Sequence, residues 1–147
     1  NVIANSDIYF EHFTSIAWIR KWAERAFVAL CTGQPEVLAL SRYDVDPEGV
    51  AMLWNNADSQ DCWVVFGGPI QIDAPYTMGQ PGCDNALIHA LTVAGFTVTN
   101  PSKTIRTYHL HLSQYRSYLD GNTGQGRGGR KIERVPPPYG FSKPTEL

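Results

Sequence analysis

Two segments of helical periodicity, each closed by a glycine and each set among short apolar runs, constrain this chain more than any other feature. In the first, Ile16, Ile19, Ala23, Ala26 and Leu30 recur at helical spacing. Thr14 or Ser15 suits its N-cap, and Gly33 and Pro35 end it. In the second, predicted over Asp84 to Ala94, Leu87, Ile88, Leu91 and Ala94 share one face, and Gly95 is the stop. The apolar runs read as strands: Val2 to Ala4, Val37 to Tyr43, Val50 to Trp54, Cys62 to Phe66, Phe96 to Thr99 and Thr104 to Leu112. Asp46-Pro47-Glu48-Gly49 reads as a turn, and Ile70 to Cys83 as a loop rich in Pro and Gly. Strands alternating with helices place the chain in the α/β class.

At 147 residues the chain is long enough for one domain with a hydrophobic core. A net charge of −2 supplies no field that favours nucleic acid. No apolar run approaches the roughly 20 residues of a membrane helix, and no signal-peptide pattern opens the sequence. Cys31, Cys62 and Cys83 are an odd number without CxxC spacing, so free thiols in a reducing, cytoplasmic setting are expected, serving as small core residues. The main domain is expected over 1–118 and an irregular Gly/Pro-rich tail over 119–147, laid over the domain at Tyr139 and Phe141. Within that tail Arg127, Arg130 and Lys131 stand among glycines without interleaved aromatics or a GK[ST] ending, the pattern of a solvated segment rather than a phosphate loop. Trp18 and Trp22 form an i,i+4 helical pair suited to core packing.

Three clusters carry candidate chemistry. Asn5-Ser6-Asp7 follows a buried-type strand, and ligands of open α/β sheets bind outside the carboxyl ends of strands. A carboxylate there suits Mg²⁺ or Mn²⁺ held together with a ligand's phosphates, but the same triplet also reads as a turn. His109-Leu110-His111 puts two imidazoles on one face of a strand, with Tyr108, Leu110 and Leu112 turned to the core; surface histidines on an amphipathic strand are the plain alternative. Asp84 enters the second helix after a Gly-rich loop. It reads as an N-cap or as a carboxylate able to take a proton from a hydroxyl. Asp61, at a strand boundary beside Trp63, reads as an ordinary strand-start residue or as a second acceptor-site carboxylate with an aromatic able to stack on a sugar.

In order along the chain these pieces resemble GT-A-type glycosyltransferases over roughly 1–118. Val2-Ile3-Ala4-Asn5-Ser6-Asp7-Ile8-Tyr9-Phe10 is similar to the strand and acidic DXD motif of that family, with Asn5 at the motif's first position. Trp63 to Pro69 and Met78 to Asn85 resemble the later strand, Gly-rich loop and acidic helix start. Asn100-Pro101-Ser102 followed by His109-Leu110-His111 resembles the closing segment, also found in uncharacterised glycosyltransferase-like proteins. The resemblance implies a partial GT-A, Rossmann-like sheet whose N-terminal nucleotide-binding strands are missing. It implies a nucleotide-sugar donor near Asn5 and Asp7, and a divalent metal (Mn²⁺ or Mg²⁺) on Asp7 with His109 or His111. It also implies a glycan or other hydroxyl acceptor at Asp84, with Asp61 as second candidate. A metal-dependent hydrolase or nuclease using the same residues, and a non-catalytic carbohydrate-binding remnant, remain the rival expectations.

Overall fold

The computed structural model describes residues 1–11, 13–67, 70–110 and 134–147. His111 and the glycine-rich cationic stretch therefore lie outside the described residues. The described chain is a mixed α/β fold with two four-stranded sheets and two helices. The strands are β1 (Val2–Ala4), β2 (Ile8–Phe10), β3 (Glu36–Leu40), β4 (Arg42–Val45), β5 (Ala51–Leu53), β6 (Cys62–Val65), β7 (Thr97–Thr99) and β8 (Thr107–Leu110). The helices are α1 (Thr14–Cys31) and α2 (Cys83–Val93).

The first sheet has the order β1-β6-β3-β7 and is the centre of the fold. Side-chain alternation along its strands sorts the core into two layers. Leu38, Leu40, Cys62 and Val64 pack with Trp22 and Ala26 of α1, whereas Val37, Ala39, Trp63 and Val65 pack with Ile88 and Leu91 of α2. One helix thus covers each face. β6 runs antiparallel to both β1 and β3, and β7 runs parallel to β3, so β1, β3 and β7 share a direction and end at one edge.

The second sheet, β2-β8-β4-β5, begins where the first ends. Two of the passages from the first sheet to the second are short, at Asn5 to Asp7 and at Ser41. The second crossing corrects the expectation of one strand from Val37 to Tyr43. Ser41 is fully buried, and its N–H donates to Asn100 Oδ1 at 3.2 Å and Ser102 Oγ at 2.8 Å. Its hydroxyl donates to the Ser59 carbonyl at 2.9 Å. Bonds of the Ser41 backbone to side chains replace the ladder there and let the strand change sheets. The turn at 46–49 joins β4 to β5, with the Val50 N–H held by Asp46 Oδ1 at 2.7 Å.

Other boundaries shift for physical reasons. The buried stripe of α1 runs through Ser15, Trp22 and Ala26, and Ile16 and Leu30 face outward, because the indole of Trp22 takes the place between sheet and helix. Ser15 is no cap: its hydroxyl donates to the Arg106 carbonyl and accepts from the Arg106 N–H. Cys62 and Cys83 are buried core thiols, whereas Cys31 is exposed, contrary to expectation. Leu110 is also exposed, and Tyr108 stacks on Tyr9 across the second sheet instead of entering a core. Residues 134–147 have no regular structure but are tied down. Gly140 N–H donates to the Asn85 carbonyl, Ser142 N–H to Ala57 and Thr145 N–H to Asn100. Tyr139 packs beside Cys83 and Ala86, while Phe141 points outward. Among the described residues no helix is long and apolar enough to cross a membrane.

Candidate functional site

The two sheets meet at the shared carboxyl ends of β1 and β3, and this seam collects charged side chains. The Asn5 N–H donates to the Asp61 carbonyl and the Asp61 N–H to the Leu40 carbonyl, so Asn5, Asp61 and Ser41 form a row one step beyond the first sheet. In the second sheet β8 lies between β2 and β4, with His109 opposite Ile8 on one side and Asp44 on the other. Asp7 directly precedes β2, so backbone register alone brings Asp7, His109 and Asp44 together.

His109 Nδ1 lies 2.9 Å from Asp44 Oδ1, and its Nε2 lies 2.9 Å from Asp7 Oδ2. Burial alone would push the Asp44 carboxyl up, but hydrogen bonds from Arg42 and His109 hold it below the ordinary carboxylate range. An ionised carboxylate only accepts, so Nδ1 carries a proton and donates it. Nε2 then faces a second carboxylate, that of Asp7, across 2.9 Å.

Arg42 extends the chain of charges. Its Nε donates to Asp44 Oδ1 at 2.7 Å and a terminal nitrogen donates to Asp61 Oδ2 at 2.8 Å. Burial opposes the guanidinium charge, yet Asp61 and Asp44 outweigh it and raise Arg42 above its ordinary value. Asn5 Nδ2 donates to the other Asp61 oxygen at 3.2 Å. An unbroken polar path therefore runs Asp7–His109–Asp44–Arg42–Asp61.

Asp61 opens into a polar pocket of about 320 Å³ whose wall includes Asn5, Arg42 and Asp84. Asp84 lies in the first turn of α2, but the N-cap is Gly82 in a left-handed conformation and no side chain caps the helix. The cap expected of Asp84 is thus supplied by glycine backbone geometry, and the carboxylate faces the pocket instead. Burial, and then the nearby Asp61 charge, push Asp84 up to about 7. A carboxyl that changes charge near neutral pH is suited to exchanging a proton with a hydroxyl. A larger cavity of about 490 Å³ beside Ile3, Trp63 and Leu87 is lined by apolar side chains and the Asn1 end, and among the described residues its wall has no ionisable side chain. Size points there; chemistry points to the seam.

Among the described residues no group of three or more His, Cys, Asp or Glu forms a metal cage. Asp7 and His109 nonetheless fit as a pair. Their 2.9 Å separation is close to that of two adjacent ligands on an ion with bonds of about 2.1 Å. A carboxylate behind the imidazole, the place Asp44 takes, is the usual orienting partner of a metal-bound histidine. Two protein ligands leave room for phosphate oxygens and water, as Mg²⁺-type sites require.

Of the residues singled out from sequence, Asp7 and His109 meet each other, and Asn5, Asp61 and Asp84 share the pocket. Trp63 does not: it is 1% exposed and buried against α2, so it cannot stack on a sugar. Arg42, Asp44 and Trp54 were not legible as site residues. The available signal was Arg42-Tyr43-Asp44, opposite charges two apart and hence on one strand face, just past the expected end of the strand. Compared with protein-family models, curated proteins and solved structures, the chain matches none.

Proposed function

We propose that the chain is the metal- and acceptor-binding part of a GT-A-type glycosyltransferase, moving a sugar from a nucleotide-sugar donor to a hydroxyl acceptor. The observation that carries this reading is the contact of His109 with Asp7, backed by Asp44, one polar path away from the pocket of Asp61 and Asp84. Its place outside the carboxyl ends of β1 and β3 is where open α/β sheets bind ligands.

In this reading Asp7 and His109 would hold Mn²⁺ or Mg²⁺, which would supply neutralisation of the diphosphate charge. Asp44 fixes the imidazole so that Nε2 faces Asp7. Asp84 accepts the acceptor hydroxyl proton as that oxygen bonds to the anomeric carbon. The bond from that carbon to the diphosphate breaks, and its electron pair leaves with the nucleoside diphosphate. Arg42 keeps Asp61 and Asp44 apart in fixed positions.

The test is to incubate the chain with UDP- and GDP-sugars, Mn²⁺ and a panel of hydroxyl acceptors, and to follow nucleoside diphosphate release. Acceptor-dependent release that Asp84→Asn abolishes supports the transferase. Release of free sugar at the same rate with and without acceptor would make the chain a metal-dependent hydrolase instead.

A further inference from the structure

Trp54 stands at the mouth of the same polar pocket, just past the end of β5. Its N–H donates to the Arg42 carbonyl at 2.9 Å, which fixes the backbone from which the indole projects. The Arg42 guanidinium lies 5.4 Å from the ring centre, yet the residue is still 41% exposed. A large aromatic surface is thus held in place by a cation and left partly open beside polar groups. Asn56, Asp58, Asp61 and Asp84 lie on the wall around it.

That combination matches a particular ligand chemistry. A pyranose has a face of C–H groups, slightly positive at hydrogen, which suits the negative face of an aromatic ring. Its rim of hydroxyls donates to carboxylates and accepts from amides, the groups that Asp58, Asp61, Asp84 and Asn56 provide. A volume of about 320 Å³ is at the small end of the roughly 300–1,000 Å³ of small-molecule sites, so a monosaccharide unit fits better than a long oligosaccharide. The charge balance selects further. Arg42 is already paired with Asp44 and Asp61, and Arg134 at the rim is engaged by the Tyr139 hydroxyl and ring. Among the described residues of the wall, Asp58, Asp61 and Asp84 outnumber Arg42 and Arg134, and Arg42 is already balanced by its own carboxylate partners, so an anionic sugar would meet an excess of negative charge.

We propose that this pocket binds an uncharged pyranose unit, stacked on Trp54 and read by Asp58, Asp61 and Asn56, with a hydroxyl directed at Asp84. Naming that sugar as the acceptor rests on the transferase reading; its binding does not. The test is saturation-transfer difference NMR on the full chain without donor or metal. The probes are the methyl glycosides of glucose, galactose and mannose, and methyl glucuronide, each at millimolar concentration. At least one neutral glycoside is expected to receive saturation at its ring C–H protons, and the glucuronide is not. Trp54→Phe retains the signal and Trp54→Ala loses it, with thermal melting to show that both variants stay folded. No signal from any neutral glycoside, a signal unchanged in Trp54→Ala, or a stronger signal from the glucuronide overturns the proposal. Trp54-dependent sugar binding without turnover of any nucleotide sugar would retire the transferase alone. Turnover onto a non-carbohydrate hydroxyl, with no sugar binding, would retire this subsite alone.

Discussion

Nε2 of His109 lies 2.9 Å from Oδ2 of Asp7, a contact made across 102 residues of sequence. It follows from the backbone: β2 and β8 are antiparallel neighbours, and the residue after Asp7 is the register partner of His109. A long-range contact fixed by strand pairing is held with little freedom, which is what the proposed metal site would require of its ligands.

Asp44 acts on this pair only through the imidazole. Asp44→Asn keeps the shape but offers His109 an amide where the carboxylate was, so the ring loses its fixed tautomer. Mn²⁺ affinity is expected to fall about 10- to 100-fold with the fold intact, as for other orienting partners of metal-bound histidines. Calorimetric titration of wild type and variant with Mn²⁺ checks it.

Arg42 and Arg25 separate buried from surface ion pairs. The side chains of Arg42 and Asp61 are 14% and 12% exposed, so Arg42→Met leaves the buried Asp61 carboxylate without its counter-charge and destabilises the fold by about 3 kcal/mol. Arg25 pairs with Glu36 at 3.0 Å but is itself 52% exposed, and Arg25→Met should cost less than about 1 kcal/mol. Urea unfolding of the two variants tests the contrast.

If Asp84 is the base of the proposed transfer, stability and activity have opposite pH dependences. Its carboxyl stands at about 7 in the fold against 3.8 for the free side chain. Between those values the unfolded chain has released a proton that the folded chain still holds, so Asp84 lowers stability as pH rises through this window. In the proposed transferase a base works only when ionised, so transfer is expected to rise with pH through about 7 and then level. Asp84→Asn removes both effects: the melting temperature above pH 7 should exceed that of wild type while transfer is lost. Asp44, held low, acts in another window. Its contribution is present above 3.8 and is lost as pH falls through its lower folded value.

The segment 134–147 is held against α2 closely enough to test by one methyl group. A Cβ on Gly140 would stand 2.9 Å from the His89 backbone nitrogen and press on Ile88 still more tightly. Gly140→Ala is expected to destabilise by about 1–3 kcal/mol, the usual range for overpacking. Because Gly140 also bonds Asn85 beside Asp84, sugar binding in the pocket should weaken with it. Thermal melts and the NMR titration read both effects.

The sequence showed most where period and order carry information. Leu87, Ile88 and Leu91 place α2, and the unbroken apolar run Val37 to Leu40 marks a strand buried on both faces. The order of Asp7, Asp84 and His109 pointed to residues that the fold does bring near one seam. It failed where a tertiary contact decides. The corner at Ser41 depends on Asn100 and Ser102, about 60 residues away, so nothing local announces it. β2 is too short for a pattern and exists because β8 pairs with it. Trp63 and Trp54 look alike as aromatics near polar residues; only the packing of α2 on the first sheet shows that Trp63 is buried and Trp54 is not.

Electron paramagnetic resonance of Mn²⁺ with the full chain, alone and with UDP or GDP, tests the central claim most directly. Bound Mn²⁺ should broaden the free-ion signal, the nucleotide should tighten that binding, and both Asp7→Ala and His109→Ala should restore the free-ion spectrum while melting normally. Mn²⁺ binding that neither substitution alters, or no binding with either nucleotide, would contradict it.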